Sequence, residues 1–104
     1  MTHIPNNEGI KSIIMKPTVS TLCAIGQDWF QSQLTITFIP NDCYPDYIEV
    51  QKWIMDNIDG KEMNIEHVVK AIYDFLANEY KPKALIIENY VEKCKSHFDV
   101  IVNK

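Results

Sequence analysis

Cys23 stands five residues before Asp28, with Gly26 between them, in the stretch STLCAIGQDWF. A thiol and a carboxyl so close in the chain can act as a pair. The thiolate is a soft nucleophile for an electrophilic carbon. A free cysteine is only a few per cent thiolate at neutral pH, so a neighbouring group must take its proton. A carboxyl group can do that as a base and return the proton as an acid. Each residue also has a plainer reading: a small cysteine is often just buried, and an aspartate beside a glycine suits a turn.

The remaining reactive side chains form no such pair. Cys43 and Cys94 read as structural, and His67 and His97 have no partner in sequence. Three cysteines, an odd number without a C-x-x-C pair, argue against a disulfide framework. Together with His3, His67 and His97 they lack the close ligand spacing of a structural zinc site, so no metal is expected. Trp29 and Trp53 read as packing residues rather than stacking platforms.

Elements must position Cys23 and Asp28. Residues 10–15, IKSIIM, suit a first strand that Pro17 interrupts or holds at an edge, continued by residues 18–23. In FQSQLTITFI, residues 30–39, Leu34, Ile36 and Phe38 alternate with Thr35 and Thr37, a half-buried strand ended by Pro40, Asn41 and Asp42. Tyr47, Val50, Ile54 and Ile58 recur at helical spacing, and Asp59-Gly60 is a stop. Asn64 suits the cap of a second helix, to about Glu79, with Ile65, Val68, Ile72 and Phe75 inside and Val69 and Leu76 widening the stripe. Glu66 then falls in a first turn, where negative charge is favoured. Residues 84–90 and 96–102 suit two more strands. The order β-β-α-α-β-β predicts an α+β domain, an antiparallel four-stranded sheet with both helices on one face. Residues 1–8 are polar and expected to fray. The 104 residues suit one domain with a modest core, so association would bury more surface. Edge strands would also gain a neighbour.

Charge narrows the classes. The net charge is −4, and all ten basic residues are lysines. That argues against a dedicated nucleic-acid binder and removes the arginine fork for phosphate. Lys81, Lys83, Lys93, Lys95 and Lys104 read as a solvated face. No apolar run reaches the roughly 18 residues of a membrane span. The start, MTHIPNNEGIK, lacks the pattern of a signal peptide. A cytoplasmic protein without membrane contact is expected.

With these residues laid out, the chain resembles a family. "STLC" leading into Gly26-Gln27-Asp28, a long strand ending in "FIP", and the order of elements are similar to the 7-cyano-7-deazaguanine reductases of queuosine biosynthesis, the QueF type. The likeness runs from about Val19 to Val102. "IEVQKWIMDNIDGKEMNIEHVVKAI" looks closer to the short archaeal relatives that make archaeosine, with a Gly-basic-Glu triplet, Gly60-Lys61-Glu62, before the second helix. The resemblance implies a tunnelling fold, whose subunits pool their sheets into a barrel as a homo-oligomer with active sites between subunits. It implies Cys23 as the nucleophile on the nitrile of a 7-deazaguanine base, free or in tRNA, forming a thioimide. It implies Asp28 as the proton carrier and Glu66 as the acceptor of the base's ring N–H and exocyclic amine, a bidentate pair.

The sequence departs from the family at three places. The Cys23–Asp28 turn lacks two prolines and is about two residues shorter. Ile65 stands where the family has a histidine before the glutamate. "YIEVQKWI" replaces the nicotinamide signature, leaving only Glu49 and Lys52 reminiscent of it. No cofactor is evident, and NADPH would serve only a reductase. Amine or ammonia addition, as in an amidinotransferase, is the leading expectation. A reductase, a non-catalytic deazapurine- or pterin-binding protein and a structural oligomer with a vestigial pocket stay open.

Overall fold

The computed structural model describes residues 1–23 and 25–91 with their side chains, and the backbone of residues 96–100. The elements in chain order are β1 (His3–Pro5), β2 (Ile13–Met15), β3 (Thr18–Leu22), β4 (Trp29–Ile39), β5 (Cys43–Pro45), α1 (Tyr47–Asn57), α2 (Ile65–Tyr80), β6 (Ala84–Val91) and β7 (Ser96–Val100).

The alternating run predicted for residues 30–39 is the spine of the main sheet. β4 pairs antiparallel with β2, β3 and β6, and β6 pairs with β7. The main sheet therefore has five strands, not the expected four. The cause is Pro17, which has no N–H to donate. It splits the first edge strand into β2 and β3, and its carbonyl still accepts from Leu34 N at 2.9 Å.

Alternation decides which face is inside. Leu34, Ile36 and Phe38 of β4 lie level with Asn89, Ile87 and Leu85 of β6. All six are fully buried beneath the helices. α1 contributes Val50 and Ile54, and Ile58 beyond its end; α2 contributes Val68, Val69, Ile72, Tyr73, Leu76 and Tyr80. The inner stripe of α2 is thus rotated from the expected one. Phe75 is only half-buried and stacks face to face on Trp53, centroids 4.2 Å apart. Tyr47, expected inside, is exposed. On the other face of the sheet Ile14 and Trp29 are 59% and 53% exposed.

The N-terminal residues, expected to fray, are placed in a strand. His3–Pro5 pairs with Cys43–Pro45 in a second, two-stranded antiparallel sheet. Three side-chain bonds hold it. Thr2 donates from N and Oγ1 to the Glu49 carboxylate at 2.8 and 2.7 Å, and His3 Nε2 lies 2.6 Å from Glu79 Oε2. Polarity alone suggested a loose end; the partners sit far along the chain.

Candidate functional site

Cys23 follows the last residue of β3, and the turn after it is closed by main-chain bonds. Cys23 N donates to the Asp28 carbonyl at 2.8 Å, and Gln27 N donates to the Cys23 carbonyl at 2.9 Å. Gln27 adopts a left-handed conformation, φ 56°, to make the return. Gly26 N points at the sulfur, 3.4 Å from Sγ. A thiolate accepts such a bond more strongly than a thiol does.

The other wall comes from the loop between the helices. Asp59 and Gly60 do more than end α1. Asp59 Oδ1 accepts from Ser20 N at 2.8 Å, and Gly60 N donates to the Ser20 carbonyl at 2.7 Å. Gly60 has φ 78°, which glycine takes at no steric cost. The chain then runs beside β3: Leu22 N donates to Lys61 O, and Met63 N donates to Leu22 O, both at 2.9 Å. This short parallel stitch delivers the first turn of α2 to the end of β3.

The result is a cavity of about 210 Å³ lined by Cys23, Ile25, Phe30, Asn64, Ile65 and Glu66. Cys23 is half-buried and Glu66 exposed at its mouth. Two of the three residues singled out in the sequence, Cys23 and Glu66, therefore share one cavity. Asp28 is exposed, is joined to Cys23 through its carbonyl, and is not among the lining residues. α2 presents its first turn here, which favours negative charge on a glutamate or a bound group.

Asn64 is the residue that sequence reasoning misread. It occupies the N-cap of α2 with extended backbone, but its side chain makes no cap hydrogen bond. Its Oδ1 is buried without a partner among the described residues. The N-cap rule placed the residue and assigned its side chain to the helix; the residue borders the cavity, and its side chain caps nothing.

The other candidates lie elsewhere. Cys43 Sγ donates to the Tyr80 carbonyl at 3.8 Å; burial, then Asp42 and Glu79, push its thiol pKa up. Cys94 lies outside the described residues, as do Lys93, Lys95 and Lys104; His97 lies in β7, described by its backbone alone. Among the described residues no group of three His, Cys, Asp or Glu side chains is placed to hold a metal ion. No helix among them is long and apolar enough to cross a membrane.

No family model and no curated protein matches the sequence. In three dimensions the chain is similar to an archaeosine synthase QueF-like protein in its apo form, with a TM-score of 0.78 and 15% identity. The match covers 91% of this chain and 94% of that one. At that identity the likeness is one of fold: two helices and antiparallel sheets in an α+β domain, arranged as in the archaeosine synthase.

Proposed function

We propose that this protein modifies a 7-deazaguanine base by attacking its nitrile through Cys23. The observation that carries the reading is the shared cavity: a cysteine sulfur with a main-chain donor on it, and a glutamate at the first turn of a helix, both among its lining residues. The fold of an archaeosine synthase supports it.

Sγ bonds to the nitrile carbon, one C–N π bond breaks, and the thiol proton passes to the nitrile nitrogen, giving a thioimide. We assign that proton to Asp28, to be taken from sulfur and delivered to nitrogen; its carbonyl bond to Cys23 N keeps the residue beside the cysteine, while its side chain is not part of the cavity lining. Ammonia or an amine then adds to the same carbon, the C–S bond breaks, and the thiolate leaves. The product is an amidine. Glu66 accepts the ring N–H and one exocyclic N–H of the base and sets the nitrile against the sulfur.

Hydride transfer is the less favoured second step. Glu49 and Lys52 are all that resemble a nicotinamide site, and both carboxylate oxygens of Glu49 are held by Thr2. These residues do not fit that cofactor.

The cavity is smaller than the roughly 300–1,000 Å³ of typical ligand sites. A homo-oligomer in a tunnelling-fold barrel, with neighbouring subunits completing each site, accounts for that. Sedimentation is expected to give a multiple of the chain mass; a monomer at micromolar concentration would refute the assembly.

The test of the chemistry is an intact mass spectrum after mixing with 7-cyano-7-deazaguanine, free and in tRNA, without ammonia or NADPH. A gain of one substrate, lost in Cys23→Ala, is expected. No gain with either form would leave a binding protein as the better reading.

A further inference from the structure

We propose that the main-chain N–H of Gly26 is a catalytic group of this site, holding the Cys23 thiolate before it attacks and receiving it again when it leaves. The inference rests on the reading of Cys23 as the nucleophile and deepens it by naming what steadies its charge. Gly26 N lies 3.4 Å from Cys23 Sγ. Gln27 N, one residue on, donates to the Cys23 carbonyl at 2.9 Å. This is the pattern by which a capping side chain holds the start of a turn, with sulfur where serine or asparagine would offer oxygen. The far side of the turn is held as well, since Cys23 N donates to the Asp28 carbonyl at 2.8 Å. Main-chain geometry therefore fixes the donor, which needs no reorganisation when charge appears on sulfur. No proline stands between Cys23 and Asp28, so no N–H is missing from the turn. A Cβ at Gly26 would lie 3.9 Å from Sγ, an ordinary contact. What the site uses is thus the N–H and not the lack of a side chain.

Sulfur changes its charge twice in the proposed reaction. It is an anion when it attacks and neutral once Sγ is bonded to the nitrile carbon. It is an anion again when the C–S bond breaks and the electron pair returns to sulfur. A hydrogen-bond donor favours the charged states over the neutral one. It also makes each thiolate a weaker nucleophile, by a fraction of about 0.4–0.5 of the same free energy. At neutral pH an ordinary cysteine is mostly thiol, so a larger thiolate share outweighs the weaker attack. In alkali the sulfur is ionised with or without the donor, and only the weaker attack remains. Cys43 sets the contrast: its sulfur donates, to the Tyr80 carbonyl, and burial, then Asp42 and Glu79, push its thiol pKa up.

The test exchanges the Gly26 N–H for an ester oxygen, by incorporating glycolic acid at that position of the full chain. Gly26→Ala, which keeps the N–H, is the control. Iodoacetamide is the probe: Sγ bonds to its methylene carbon, iodide leaves, and the thiol proton goes to buffer. The rate at Cys23 is read by mass spectrometry of its own peptide, apart from Cys43 and Cys94, at pH 7 and pH 10.5. Loss of the N–H is expected to slow Cys23 about threefold at pH 7 and to speed it about threefold at pH 10.5, with Gly26→Ala within about twofold of the parent at both. A turn that was merely loosened would shift both rates in one direction, so the reversal belongs to the hydrogen bond. Equal rates in the ester and parent proteins, a shift of one sign at both pH values, or a Gly26→Ala protein that behaves like the ester each overturn the inference. All three leave the nitrile reading to its own test, which uses neither variant. A parent Cys23 that iodoacetamide reaches at neither pH would overturn both.

Discussion

Glu66 illustrates what a single residue can and cannot declare. At the second position of α2 its charge already suits the helix N-terminus, so sequence alone offers a complete explanation without a ligand. Its place on the cavity that Cys23 also lines adds the second role. The two roles separate experimentally. Glu66→Gln keeps the shape but replaces one acceptor oxygen with a donor facing the donors of the base. Hydrogen bonds to a charged group are worth about 1.5–3 kcal/mol, so binding of 7-cyano-7-deazaguanine is expected to weaken by about ten- to a hundredfold. Stability should change by no more than the few tenths of a kcal/mol of a helix-terminus charge. Calorimetry and a urea titration on the same preparation check both; unchanged binding would return Glu66 to a purely helical role.

At the scale of elements, the two helices start differently, although both have a good capping residue. Asp46 caps α1 in the ordinary way, its Oδ1 accepting from Ile48 N at 3.0 Å. Asn64 sits at the same position of α2 and makes no cap hydrogen bond with its side chain. Asp46→Ala is therefore expected to cost about 1 kcal/mol, and Asn64→Ala close to nothing, by urea unfolding. Equal losses would show that Asn64 caps its helix in solution. Much of the element pattern is legible in sequence because it is local. The alternation of Leu34, Ile36 and Phe38 and the helical recurrence of Val50, Ile54 and Ile58 follow from periods of two and 3.6 residues. Tyr47 and Phe75 also fit that period, yet one is exposed and the other is held against Trp53. Periodicity finds a helix face to within a residue's rotation; which side chains at its margin are covered depends on the neighbouring helix.

The whole molecule ties its N-terminus to the end of α2, and Tyr80 records the consequence. Its ring lies beneath His3, centroids 4.8 Å apart, and is buried with its hydroxyl unpartnered among the described residues. Burial first, then the carboxylates Glu49 and Glu79 among other acidic groups, push its pKa up to about 12. An unfolded tyrosine ionises near pH 10. Between those values the folded state holds a proton that the unfolded state has lost, so stability falls as pH rises. Below pH 10 the contribution is fully present. Tyr80→Phe removes both the titration and an unpaired buried hydroxyl. It is expected to be neutral or to stabilise by about 1 kcal/mol at pH 8, with a larger advantage over the parent protein at pH 11. Urea midpoints at the two pH values measure it, and an advantage that shrinks with pH would exclude this account.

The sequence by itself determined the nucleophile candidate, the long strand, both helices and the α+β class, because each is written in residues a few positions apart. Tertiary structure alone decided that Cys23 and Glu66 meet. Their meeting depends on main-chain bonds between β3 and the interhelical loop, such as Ser20 to Asp59 across 39 residues. Such bonds leave little side-chain signature, since nearly every residue carries the same N–H and C=O. The same holds for β1, whose partner strand lies 40 residues on. Asn64 lies between the two cases. Its type and position pointed to a helix cap, and the residue does take the N-cap, but its side chain makes no cap hydrogen bond.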